Sequence, residues 1–231
     1  VGSTNFVKPD YSSYGRSLVE RWDGHSWSIQ RSTNPDSAFD NLASVACASA
    51  TACMAVGDQG VGFQSLAERL DGRTWSTVPM VDRSGPHDNQ PLGVACTSAT
   101  SCIAVGLTSG QFSDGVTLIE RWDGHAWSIE TSPNKQGAAN SGLVSISCVS
   151  ANDCWAAGGA AIPPLDSSSR GVTLIEHWNG HSWSVSSSPN AAQRRVSGLN
   201  AVACAPTGGC VAVGSDYSQG IQSHVLIEQR P

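Results

Sequence analysis

The chain has 231 residues, a formal charge of −6, only 14% charged side chains, 24 glycines, 8 cysteines and 8 tryptophans. Lys8 and Lys135 are the only lysines and no basic stripe exists, so binding to a nucleic-acid backbone has little electrostatic support. No apolar run approaches the roughly eighteen residues that would span a bilayer, so membrane insertion is not expected. No charged leader with an apolar core opens the sequence, and Val1 falls inside a repeat, so a processed or trimmed N-terminus is expected.

Taken in chain order, the first recognisable segment is LVERWDGHSWS, from Leu18 to Ser28. Next come Cys47-ASATA-Cys53-MAVG and LAERLDGRTWS, then Cys96-TSATS-Cys102-IAVG and LIERWDGHAWS. The pattern recurs as Cys148-VSAND-Cys154-WAAG with LIEHWNGHSWS, and closes with Cys204-APTGG-Cys210-VAVG and LIEQRP. Glu20, Glu68, Glu120, Glu176 and Glu228 mark five registers of one element, 48, 52, 56 and 52 residues apart. A fixed period of about fifty residues marks a repeat architecture in which each unit buries its apolar faces only against its neighbours.

Each full unit contains four short segments of strand character separated by turn signals. In one copy they lie near Gly93 to Cys96, Cys102 to Gly106, Val116 to Trp122 and Ala126 to Thr131. Four antiparallel strands per unit is the arithmetic of a β-propeller blade, and abundant glycine with few straight-chain residues agrees with an all-β fold. The whole chain, 1–231, is then one propeller domain with units near 1–40, 41–90, 91–140, 141–197 and 198–231. Five blades with incomplete end units use every segment.

Repeat symmetry pairs Cys47 with Cys53, Cys96 with Cys102, Cys148 with Cys154 and Cys204 with Cys210, stapling one hairpin per full repeat. Zinc is disfavoured, because five intervening residues exceed usual finger spacings and no histidine recurs beside the pairs. Neither metal nor cofactor is expected. Four bridges imply an oxidising compartment, and hence a secreted or cell-surface protein.

Asp23-Gly24, Asp71-Gly72, Asp123-Gly124 and Asn179-Gly180 sit between the third and fourth strands, where a two-residue type I′ turn is expected. That turn would set Trp22 opposite His25, Arg21 opposite Ser26 and Glu20 opposite Trp27. Leu18, Glu20, Trp22, Trp27 and Ile29 then share one face as inter-blade wedges, with the glutamate a natural acceptor for an indole N–H. His25, His125 and His181 follow the turn, and Arg73 replaces them in one copy, as suits a tolerant exposed position.

The two hairpin turns of each unit are nearly constant, whereas the connections between strands two and three, and between units, vary freely. Both variable sets fall on one side of a propeller, where binding usually lives. The groups available there are Asp10, Tyr11 and Tyr14; His87, Asp88 and Asn89; Asp166 and Arg170; and Asp216 and Tyr217. Asp, Asn and Tyr together suit sugar hydroxyls through hydrogen bonding and ring stacking. No catalytic constellation stands out, since the recurring glutamates should lie on separate blades, too dispersed for the carboxylate pair of glycoside hydrolysis. The leading expectation is a non-catalytic, lectin-like binding or adhesion module for glycan or an extracellular protein. One alternative is a polysaccharide hydrolase or lyase using loop carboxylates such as Asp10, Asp88 or Asp166. Another is a structural subunit that self-associates through its unfinished terminal blades.

Through GVTLIERWDGHAWSIETSPN and LVSISCVSANDCWAAGG the chain resembles secreted Cys/Trp-repeat proteins of actinobacteria and related soil bacteria, whose scaffold is described as similar to kelch and galactose-oxidase propellers. The resemblance covers nearly the whole chain and implies a propeller without implying an activity. The Asp-Gly-x-x-Trp stretch is also similar to the aspartate box of sialidase-like propellers but one residue shorter, so no sialidase site carries over.

Overall fold

The computed structural model describes residues 1–7, 13–35, 39–83, 87–110, 115–164, 170–190, 196–217 and 223–230. Among them there is no helix, and eighteen strands fall into five antiparallel units in chain order, the last two joined into one sheet by a parallel bridge between Gly171 and Val196. Unit one comprises β1 (Gly2–Val7), β2 (Ser13–Trp22) and β3 (Trp27–Gln30). Unit two has β4 (Asp40–Ser49), β5 (Ala52–Gln59), β6 (Gln64–Asp71) and β7 (Thr74–Thr77). Unit three has β8 (His87–Ser98), β9 (Ser101–Gly110), β10 (Val116–Trp122) and β11 (Trp127–Ile129). Unit four has β12 (Asn140–Ser150), β13 (Asp153–Ile162), β14 (Arg170–Trp178) and β15 (Trp183–Ser186). Unit five has β16 (Val196–Cys204), β17 (Cys210–Tyr217) and β18 (Ser223–Arg230).

The all-β propeller architecture is therefore as the repeat predicts, with four-stranded units in the middle and three-stranded units at both ends. The inner strands β4, β8, β12 and β16 pack successively on one another. They are longer than the sequence suggests, because β8 extends to His87, well into the inter-unit segment. All four cysteine pairs are joined as expected, each directly across the first hairpin of its unit.

Apolar burial is concentrated at the junctions between units, as a ring of wedges requires. Ile103, Val105 and Ile119 of unit three meet Leu143, Ile146, Leu174 and Trp183 of unit four. Met54, Val56 and Ala67 of unit two meet Val94, Ala104, Trp122 and Trp127 of unit three. Val19 of unit one meets Leu42, Leu66 and Trp75, and Trp155 and Ala157 of unit four meet Leu199, Val202 and Ala212. Trp75, Trp122, Trp127, Trp155 and Trp183 thus act as inter-blade wedges, whereas Trp22 and Trp27, expected in the same role, have no preceding unit to pack on and are exposed.

Each inner strand also carries a bulge, at Leu42/Ser44, Pro91/Gly93, Leu143/Ser145 and Leu199/Ala201. The glycine ending each AVG or AAG stretch lies across from it, and a Cβ on Gly57, Gly106 or Gly158 would come within 2.0 Å of the carbonyl oxygen of Asn41, Gln90 or Gly142. Bulge-side serines tie neighbouring inner strands together: Val94 N–H donates to Ser44 Oγ at 3.3 Å and Val202 N–H to Ser145 Oγ at 3.1 Å.

The hairpin register differs from the expectation. Trp22 lies opposite Trp27, Arg21 opposite Ser28 and Glu20 opposite Ile29, and the equivalent pairs recur in units three and four. The loop holds four residues because Asp23 Oδ1 accepts N–H donors from His25 at 2.7 Å and Ser26 at 2.8 Å, with Asp123 and Asn179 doing the same. Only the glycine takes positive φ, +104° at Gly24, so the turn is not type I′. Backbone donors, Ser26 N–H foremost, hold the exposed Asp23 carboxyl below its ordinary range. A shift of two residues preserves the pleat, so the residues expected to share a face still do.

Candidate functional site

The recurring glutamates organise the side of the molecule on which the variable connections lie. Glu68, Glu120, Glu176 and Glu228 each reach from the third strand of their unit into the segment that follows the last strand of the preceding unit. Glu68 accepts Ser17 Oγ at 3.1 Å and Ser32 Oγ at 2.7 Å; Glu176 accepts Ser132 Oγ through both oxygens at 2.9 Å; Glu228 accepts Ser188 Oγ at 2.9 and 2.8 Å. Those serines in turn bond Ser17, Thr117 and Thr173. Two residues further on, Asn34, Asn134 and Asn190 take the N–H of the same Ser17, Thr117 and Thr173 at 2.7–2.9 Å. The glutamates therefore clamp one unit to the next. The indole nitrogens of Trp122, Trp127 and Trp183 have no hydrogen-bond partner among the described residues, so the expected glutamate–indole bond is not made.

Between units two and three the pattern breaks, because Met80 occupies the serine position and Asp82 the asparagine position. Asp82 still caps Ser65 N–H at 2.9 Å, but Glu120 keeps only Val81 N–H at 3.2 Å, leaving Glu120 Oε1 and Ser65 Oγ buried without partners. Burial, with a smaller push from Asp82, raises the Glu120 carboxyl to about 7, and burial raises Glu176 to about 7 against the opposing Ser132 and Thr117 bonds. A carboxyl that titrates higher folded than unfolded binds more protons in the folded state, so stability falls as pH rises from about 4.5 through 7 and levels off above. Met80→Ser supplies the missing donor. We expect it to stabilise the protein by about 1 kcal/mol at pH 8, net of lost methionine packing, and by less at pH 5, as read from urea midpoints. An equal effect at both pH values would overturn this account of Glu120.

Around the outer edge of unit one and reaching onto unit two lies an open groove of about 1160 Å³, lined by Thr4, Phe6, Arg16 and Arg31 of the first and Arg73 and Trp75 of the second, among others. Tyr14 stacks on Phe6 with ring centroids 5.0 Å apart, and the Arg16 guanidinium lies 5.8 Å from the Tyr14 ring. The groove thus offers an aromatic stack, arginine side chains and short polar groups.

The other expected ligand residues distribute over several units. Asp10, Tyr11 and Asp166 lie outside the described residues. His87 opens β8 opposite Gly110; Asp88 accepts Ser109 Oγ at 3.2 Å. Asn89 is buried, its Oδ1 taking Arg83 N–H at 3.1 Å, so it holds the chain rather than facing solvent. Asp216 is likewise buried. The structure brings Arg170 and Tyr217 to one edge, since Val196 pairs with both Gly171 and Tyr217, two strand spacings or about 10 Å apart. The sequence reading missed Phe6, Arg16 and Arg31. Their signal was available, because each shares the Glu20 face by alternation along β1, β2 and β3.

No family model matches the chain, and no curated protein matches it. Solved structures do. One, described as "YCF48 bound to D1 peptide", is 13% identical over 80% of this chain with a TM-score of 0.43, and this chain spans about half of it, 52%. Another, "Structure of SapL1 lectin in complex with alpha methyl fucoside", is 10% identical over 99% of this chain and 76% of that one, with a TM-score of 0.52. At that identity the second likeness speaks for the propeller fold alone.

Proposed function

We propose that the protein is an extracellular, non-catalytic binding propeller whose ligand is a carbohydrate or surface glycoconjugate. The observation that carries this reading is the unit-one groove, where the stacked Phe6–Tyr14 pair stands beside Arg16 and a rim of Thr and Gln side chains. Sugar rings present C–H faces to aromatic rings and hydroxyls to fixed polar groups, and this groove holds both kinds of partner. The fold it shares with a lectin whose structure contains alpha methyl fucoside supports the ligand class. Four disulfides support an oxidising compartment, consistent with secretion or cell-surface display, and the resemblance to secreted Cys/Trp-repeat propellers points the same way.

Screening on a glycan array tests the reading. Phe6→Ala and Tyr14→Ala should each weaken binding roughly tenfold or more, while Tyr14→Phe, which keeps the stack, should retain most of it. Absence of binding to any glycan, or binding indifferent to both alanine variants, would remove the carbohydrate assignment.

A further inference from the structure

The two terminal units expose opposite halves of a junction that recurs four times inside the chain. On unit one the bare side carries Trp22, Trp27 and Ile29, with Trp27 67% and Ile29 72% exposed. The equivalent tryptophans of unit three, Trp122 and Trp127, are each 3% exposed, packed on the unit before. On unit five the bare side carries Val211, Val213, Val225 and Ile227, the last 65% exposed. Counting from the shared cysteine and glutamate, Val211, Val213 and Ile227 correspond to Ile103, Val105 and Ile119, all buried against unit four. In one chain these two faces stand apart.

We infer that the chain associates head to tail, the unit-five face of one copy packing on the unit-one face of a second copy and continuing the internal sequence of junctions. The chemistry is complementary. Valine and isoleucine on one side meet tryptophan and isoleucine on the other, as Ile103, Val105 and Ile119 meet Leu174 and Trp183. Val225 also replaces the serine or threonine found at this position in the other units, Ser17, Ser65, Thr117 and Thr173. The end face therefore carries an apolar side chain where each internal one carries a hydroxyl. Such a contact is heterologous: it uses two different surfaces and propagates until a ring closes or a filament forms. Tyr217 of one copy and Tyr14 of the other then lie at the same connection-side end of the junction. Phe6, Tyr14 and Arg16 share the unit-one face with Trp27 and Ile29, so the junction covers part of the groove and a bound ligand competes with association; the test is made without ligand, and its failure leaves the carbohydrate reading standing.

Light scattering and sedimentation on the 231-residue chain over a wide concentration range supply the test. Wild type should associate with concentration, whereas Trp27→Asp and Ile227→Asp should each stay monomeric at 24.0 kDa, weakening self-association roughly thirtyfold or more. Both residues are exposed, and unchanged far-UV spectra and melting will confirm that the variants fold. Mixed together, the two variants should form a one-to-one dimer and nothing larger, because each still offers the face the other lacks. A wild type that is monomeric throughout, including one closed on itself with shielded tryptophans, overturns the inference. So do variants that associate like wild type, or a mixture that remains monomeric.

Discussion

Full reduction of the four hairpin bridges is expected to unfold the protein at 37 °C, the largest effect of any treatment considered. Each bridge joins cysteines six residues apart across a β-hairpin. On the chain-entropy model, closing so short a loop restricts the unfolded ensemble by roughly 2–3 kcal/mol. Four such contributions approach 10 kcal/mol if they add, against a total stability of about 5–15 kcal/mol for an ordinary domain. Packing increases the loss in the middle of the array, because Cys154 is fully buried and Cys148 packs against the same cluster, whereas Cys53 is 9% exposed in its cluster and Cys47 is exposed. Replacing Cys148 and Cys154 by alanine should therefore cost more than replacing Cys47 and Cys53, even though loop length is the same. Thermal melts with and without a phosphine reductant, followed by melts of the single-pair variants, measure both terms. A reduced protein that melts with the oxidised one would mean the bridges constrain nothing the fold needs.

The parts of the structure that were legible in the sequence are those repeated in every unit. Four aligned cysteine pairs left one sensible pairing among many, and five aligned glutamates located five third strands, so the units and their unfinished ends could be counted directly. The hairpin register was misjudged because Asp-Gly signals a tight turn on its own, while the Asp23 side chain binds two backbone N–H groups and widens the loop to four residues. The faces survived that error, since a two-residue shift leaves alternation intact. The glutamate's partner was missed for a different reason. Serine and asparagine five and seven residues after the tryptophan recur as Ser32/Asn34, Ser132/Asn134 and Ser188/Asn190, a signal present in the sequence but visible only once the following unit is laid against it. The ligand groups remain hardest to read, because the variable connections have no second copy to align with. Thus Asn89 looks like a loop ligand by composition and proves to be buried support.

Gly106→Ala is expected to destabilise the protein by at least about 3 kcal/mol, although both residues are small and Gly106 lies inside a regular strand. The cause is local geometry rather than a special φ. The bulge at Pro91/Gly93 pushes the Gln90 carbonyl toward β9, and a methyl group on residue 106 would lie 2.0 Å from Gln90 O, 2.8 Å from Gln90 C and 2.9 Å from Pro91 Cα. All three neighbours are backbone, so no side chain can swing aside; either the bulge must move or the β8–β9 pairing must part. Moving the bulge would displace Val94, whose N–H is held by Ser44 and whose side chain is buried between units two and three, so strain at one glycine spreads to a junction. Gly198→Ala is the control: it lies in β16, the first strand of unit five, with nothing within 4 Å of the added carbon, and should change stability by no more than about 0.5 kcal/mol. At roughly 2–4 °C per kcal/mol for a chain of this size, the first variant should lower the melting midpoint by about 6–12 °C and the second by almost nothing. Equal midpoints for the two would show that the bulge yields to the methyl group, and that the glycine of each AVG stretch is not what fixes the first hairpin of a unit.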